Sequence, residues 1–343
     1  MYKNMGTFDA GSVTLDGGQR AVGTPTFDAA GVASGGAFLI SELAKRDPLI
    51  REPLESFTYP RDIPIEVGGG WADYVEAMSV QYGVTGGSGA GPVQAGGSNG
   101  LPIVQASYDK GIFKAHAFNV ALRVMWQDMQ RANFVGRSLD QTLQDGVRKT
   151  YDKHLDQNVY MGIPEYGTTG LFNDPNVVYS NVVAGAATTT AWNTKTPDEI
   201  LFDINDAIID AWEAAEYDES AMPNHILVPY EQFNYLATTK VSSLAEKTIL
   251  TFLLENNISK QTKGIDLVIA PTRWAKGAGA SSTDRMLVYC NNKRFVKMDE
   301  LVPLSRAMTQ PNATSFCYDT AYAANITEAQ IAYPQTMLYR DGI

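Results

Sequence analysis

The chain has little of what marks a secreted, membrane-spanning or nucleic-acid-gripping protein. Cysteine occurs twice in 343 residues, at Cys290 and Cys317. Two thiols are too few for a disulfide framework, so a reducing compartment is the default. Whether the two pair is open at this level. No apolar run approaches the ~18 residues of a membrane span. No charged-then-apolar leader follows Met1, and with Met1 in place no large N-terminal piece lost to proteolysis is expected. Positive charge is scarce: 27 Lys and Arg against 38 Asp and Glu leave a formal charge of −11. A dedicated nucleic-acid binder carries a basic surface, so the charge argues against that class. A wall that confines nucleic acid without gripping it is compatible.

Catalytic and cofactor signatures are equally thin. A glycine-loaded stretch, Gly86 to Gly100, invites a test as a phosphate cradle. A P-loop needs a lysine after its last glycine, and none lies between Trp71 and Asp109. The segment that follows alternates like a strand and opens no helix. The three histidines, His116, His154 and His225, fall in three different elements without metal-ligand spacing. Each reads as a core or surface residue. No local signature joins a cysteine to a histidine as nucleophile and base. Asp203, Asp206 and Asp210 recur three or four residues apart in one helical stretch, away from its isoleucines, and read as a solvated acidic face. No catalytic residue, metal ligand or cofactor site is expected.

What is present is a very long ribbon. Trp71 to Tyr82 alternates as a strand, the glycine tip follows, and Pro102 to Leu122 alternates back. Each arm of about fifteen extended residues would reach roughly 50 Å. An isolated two-stranded ribbon of that length is marginal in water, and makes sense if neighbouring copies of the chain complete it. Trp71, Tyr74, Tyr82, Tyr108 and Phe113 lie along it. Aromatics suit both strand geometry and interfaces, so these five are the candidate inter-subunit contacts.

Around the ribbon, residues 1–35 read as an extended arm without a core, and Ala37 to Arg46 as a short helix stopped by Asp47-Pro48. Residues 53–67 fit edge strands. Ser138 caps a helix expected over Leu139–Met161, with Leu139, Leu143, Val147, Tyr151, Leu155 and Val159 as its apolar stripe. At 1.5 Å per residue this spine is roughly 35 Å long. Thr196-Pro-Asp-Glu199 is a capping box opening a helix to about Ala215, with Ile200, Ile204, Ile208 and Trp212 facing inward. A strand at 225–229, helices at 230–238 and 244–256, and strands at 265–270 and 285–289 make an α/β unit of ~140 residues. Residues 315–337 alternate again and are expected to return to the part of the fold left before residue 163.

This order of parts resembles the major capsid protein of tailed bacteriophages, the fold named after phage Hong Kong 97, which bacterial encapsulin shells share. The phrases that carry it are Trp71-Ala-Asp-Tyr, the helix Ser138–Met161, the turn Glu165 to Phe172 and the ending Thr327 to Met337. They look like a branch of phage capsid proteins known as a domain of unknown function. The resemblance implies an α+β fold with an N-terminal arm (1–50) and an extended loop (68–115). A peripheral domain would comprise 51–67, 116–175 and 326–343, including the spine helix at 138–162, and an axial domain 176–325. It implies pentamers and hexamers closing into an icosahedral shell around double-stranded DNA, assembled in the host cytoplasm as part of the virion. Portal, scaffold and decoration proteins are the implied partners, with no membrane. Some relatives weld subunits through a loop lysine. Here only Lys110 and Lys114 lie near the loop, towards its base, so no covalent crosslink is expected. Residues 1–35 show no amphipathic helix of the kind that forms an encapsulin cargo groove. An encapsulin-type nanocompartment and a soluble oligomeric enzyme are the alternatives.

Overall fold

The structure, a computed structural model, describes residues 56–85, 103–135, 139–242 and 247–343. The expected arm, the helix at 37–46, the glycine tip and the Ser138 cap lie outside them. In chain order come α1 (Tyr59–Asp62), β1 (Ile65–Val67), β2 (Tyr74–Thr85), β3 (Ile103–Met125), α2 (Trp126–Val135), α3 (Leu139–Met161), β4 (Val178–Asn181) and α4 (Pro197–Ala214). There follow β5 (His225–Val228), α5 (Tyr230–Thr238), α6 (Ile249–Glu255), α7 (Ile258–Lys263), β6 (Val268–Pro271) and β7 (Arg285–Tyr289). The chain ends through β8 (Val296–Asn312), β9 (Cys317–Thr327), β10 (Gln330–Ile331) and β11 (Met337–Asp341).

The strands form two sheets. One runs β1-β8-β9-β3-β2, with β10 also on β8, and the other runs β4-β11-β7-β5-β6. The second sheet is apolar on both faces, which is why β5 and β7 read as continuous hydrophobic runs. Leu227, Leu287, Tyr289 and Tyr339 point into a core with Leu155, Val159, Tyr160 and Phe172. Their strand neighbours Ile226, Val228, Met286, Val288 and Leu338 point into a second core with Ile200, Ile204 and Ile208.

The spine α3 buries Val147, Tyr151, Leu155 and Val159 at the predicted four-residue spacing. It stops where Gly162 takes φ +65°, in the left-handed region. The chain then folds back on the helix end, with Leu171 N donating to Val159 O (2.9 Å) and Phe172 N to Tyr160 O (3.0 Å). The capping box of α4 is present, with Thr196 and Glu199 satisfying each other's backbone N–H.

Two expectations need correction, and the sheets add a finding of their own: strands β8 and β9 belong to the sheet of β3, and β11 to the sheet of β7. The cause is β3 itself: its second half needs a partner, and β9 pairs with it from Ala115↔Thr327 to Met125↔Cys317. The inward face of α4 is completed by Ala207 and Ala211 rather than Trp212, whose indole turns aside to donate to Asp218 O at 2.9 Å. Asp203 is not on a solvated face. It is buried among the isoleucines, held by Lys195 Nζ at 2.5 Å and Trp192 Nε1 at 3.0 Å.

Candidate assembly surface on the ribbon

The first half of β3 pairs with β2 alone, in continuous antiparallel register from Tyr74↔Lys114 to Thr85↔Ile103. These twelve pairs extend about 40 Å. The root is tied to the body by a bend of three glycines. Gly68 N donates to Glu300 O, Gly70 N to Leu301 O, and Asn325 Nδ2 to the carbonyls of Gly70 and Ala72. A Cβ on Gly69 would meet Leu301 Cδ2 at 2.6 Å, so only glycine passes there without displacing Leu301.

Directly paired residues share a face, and the period of two gathers most of the large apolar side chains on one of them. One face carries Tyr74, Met78, Val80 and Tyr82 from β2 and Val104, Tyr108 and Ile112 from β3. All seven are exposed, Tyr82 at 78% and Tyr108 at 68%. Glu76 and Lys110 form an ion pair across this face (2.5 Å), exposed and worth little to stability. The opposite face carries Ala77, Ser79, Gln81, Ser107, Asp109 and Gly111, with Val75 towards the root and the exposed Ile103 towards the far end.

The five candidate contacts therefore separate. Tyr74, Tyr82 and Tyr108 converge on the apolar face. Trp71 is exposed in the bend before β2. Phe113 lies on the other face, half-buried, its ring 3.6 Å from where a Gly111 Cβ would be. There it lines a groove of about 640 Å³ between the ribbon and Phe295 and Tyr333 of the body. Met78, Val80, Val104 and Ile112 join the tyrosines on that face, and strand alternation in the sequence is the signal for them.

One titratable group of the body, Asp62, is locked into packing. Asp62 is fully buried and receives Arg61 in a bidentate pair (2.6 and 2.8 Å), His225 Nε2 (3.2 Å) and the Tyr160 hydroxyl. Burial opposes its charge, and the hydrogen bonds from Arg61, His225 and Tyr160 outweigh it, so the carboxyl lies below its ordinary value. This knot ties α1 to α3 and β5. Among the described residues no group of three or more metal-ligating side chains converges, and no helix is long and apolar enough to cross a membrane.

The family profile of major capsid proteins matches residues 89–343. The chain belongs to the major capsid protein family. Solved phage and particle capsids share its fold. The capsid of Myoviridae phage XM1 superposes with a TM-score of 0.73 at 17% identity, covering 88% of this chain and 98% of that one. The capsid of a native GTA particle gives 0.63 at 10% identity, covering 92% and 99%. Microbacterium phage Oxtober96 gives 0.56 at 14%, covering 87% and 92%. No curated protein matches the sequence. The capsid protein is a shell-forming component of a virion with a Hong Kong 97-like fold, and its family role is structural.

Proposed function

We infer that this capsid protein builds an icosahedral shell of pentamers and hexamers, and that the ribbon clasps a neighbouring subunit without a covalent bond. The observation that carries the reading is the face of seven apolar side chains that stand exposed among the described residues. Patches of this kind mark interaction surfaces. The contact is heterologous, ribbon on body, and it closes because rotation about a symmetry axis closes. The lobe built on the five-stranded sheet would meet its copies around the axes, and the spine with the six-stranded sheet would form the peripheral lobe. Trp71 would extend the aromatic contact at the root.

The enclosed cargo in this reading is double-stranded DNA, which a wall of net charge −11 holds only weakly, so that it can move in and out. Assembly takes place in the host cytoplasm, with a separate scaffold and a portal as partners and no enzymatic turnover. Electron microscopy of purified protein tests this. Empty or DNA-filled polyhedral shells support it. Shells packed with a protein cargo would mean a nanocompartment, and small discrete oligomers would overturn it.

A further inference from the structure

At the root of the ribbon β3 changes partners. Lys114 is the last residue opposite β2, and Ala115 the first opposite β9. His116 comes next, packed against the spine. Its ring meets His154 of α3 edge-on, with centroids 5.9 Å apart and planes at 85°, and stacks on Tyr166 at 5.8 Å and 12°. Phe118 completes the box, 5.2 Å from His154 and 5.3 Å from Tyr151. Both ring nitrogens of His116 are shielded from solvent, and among the described residues neither has a hydrogen-bond partner. A neutral imidazole leaves one donor and one acceptor unpaired there. An imidazolium would leave two donors and a desolvated charge.

The charged groups around the joint look elsewhere. On β3, Lys114 Nζ donates to Tyr166 O at 3.2 Å. After β9, Glu328 accepts Lys114 N at 2.9 Å and Thr169 N at 3.3 Å. On α3, Tyr151 gives its hydroxyl to Glu300 of β8 at 2.6 Å, and Lys153 beside His154 is exposed. Among the described residues no carboxylate is hydrogen-bonded to His116. Burial, and then the neighbouring His154, push His116 down to about 4, and burial also lowers His154.

We propose that His116 and His154 form a proton-operated latch, which seats the root of the ribbon on the spine helix while both rings are neutral and releases it when they are protonated. The latch belongs to the subunit, and only its consequence for a shell rests on the reading above. Its sign follows from linkage. With the folded value below the free histidine value of about 6.5, the latch contributes fully above that pH. It weakens as pH falls towards 4.

Hydrogen exchange of the full-length protein, corrected for intrinsic rates, tests it on peptides spanning 112–120 and 163–170. Between pH 7 and pH 5 the opening equilibrium should rise roughly twentyfold for one such histidine. In His116→Phe, which fills the same box and leaves only His154 to titrate, the rise should be clearly smaller than in the wild type. Equal protection of the wild type at both pH values, or an unchanged rise in His116→Phe, overturns the latch. If His116→Phe does not fold, His154→Phe takes its place: its rise should be smaller than the wild type's, with His116 alone left to titrate, and an unchanged rise overturns the pairing. A wild-type NMR titration adds a reading free of variants, and a His116 midpoint at or above 6.5 also overturns the proposal. Exchange is read whether or not shells form, so failure of the shell reading stays separate.

Discussion

Val80 and Tyr108 stand opposite each other across the ribbon in direct register, and both are exposed on the same face. A cross-strand apolar pair normally stabilises a sheet by covering area on its partner. Here the pair continues a stripe that runs the length of the hairpin, so its larger contribution falls to whatever lies above it.

Replacing Tyr82 and Tyr108 together by Asp should leave the subunit folded and prevent shells. Circular dichroism should be unchanged, while sedimentation and electron microscopy should find only small species. Gln81→Asp on the opposite face is the control and should still assemble. Normal particles from the Tyr82/Tyr108 variant would show that this face is not a contact.

Gly170 has no room for a side chain. A Cβ there would lie 2.4 Å from Tyr160 C, 2.5 Å from Met161 N and 2.6 Å from Tyr160 O, all backbone atoms at the end of the spine. Gly170→Ala should cost at least the ~1–3 kcal/mol of an overpacked core, read as a lower thermal midpoint and poor soluble yield. An unchanged midpoint would mean that the turn is not packed on the helix as described.

Lys195 and Asp203 are both nearly inaccessible, with Nζ 2.5 Å from Oδ2. Removing one partner of such a pair leaves a buried charge, so Lys195→Met should destabilise the protein by about 3–5 kcal/mol in denaturant unfolding. Adding Asp203→Leu should recover most of that loss. A double variant no better than the single one would mean that the two side chains do not act as a pair.

The non-covalent clasp predicts a single band at 37.3 kDa when mature shells are run on a denaturing gel. The only lysines from Trp71 to Met125 are Lys110, paired with Glu76, and Lys114, held by Tyr166 O. A ladder of higher bands would refute the expectation.

Much of the fold was legible because its signals are local. The spine stripe Val147-Tyr151-Leu155-Val159 depends on helical period alone, and the Thr196–Glu199 capping box on neighbouring backbone groups. Strand β8 was missed because Pro303 and Pro311 interrupt its pattern, and its register with β9 shifts between Glu300 and Met308. Asp203 was placed outside because its charge and its spacing from Asp206 and Asp210 suggested water, whereas Lys195 supplies the counter-charge inside. His116 and His154 looked unrelated because nothing local links a strand residue to one in the spine 38 positions later.

The sequence by itself determined that this chain carries a long aromatic ribbon, a spine helix and an α/β unit, because each is written in short-range periodicity and turn chemistry. The tertiary structure decided which residues of that ribbon act together. Register put Tyr74, Tyr82 and Tyr108 on one face and Phe113 on the other. The pairing of β9 with the second half of β3 drew the sheet boundary. Packing of β3 on the spine brought two histidines into one apolar box. Each of these depends on contacts between residues far apart in the chain, and only the folded chain brings them within reach.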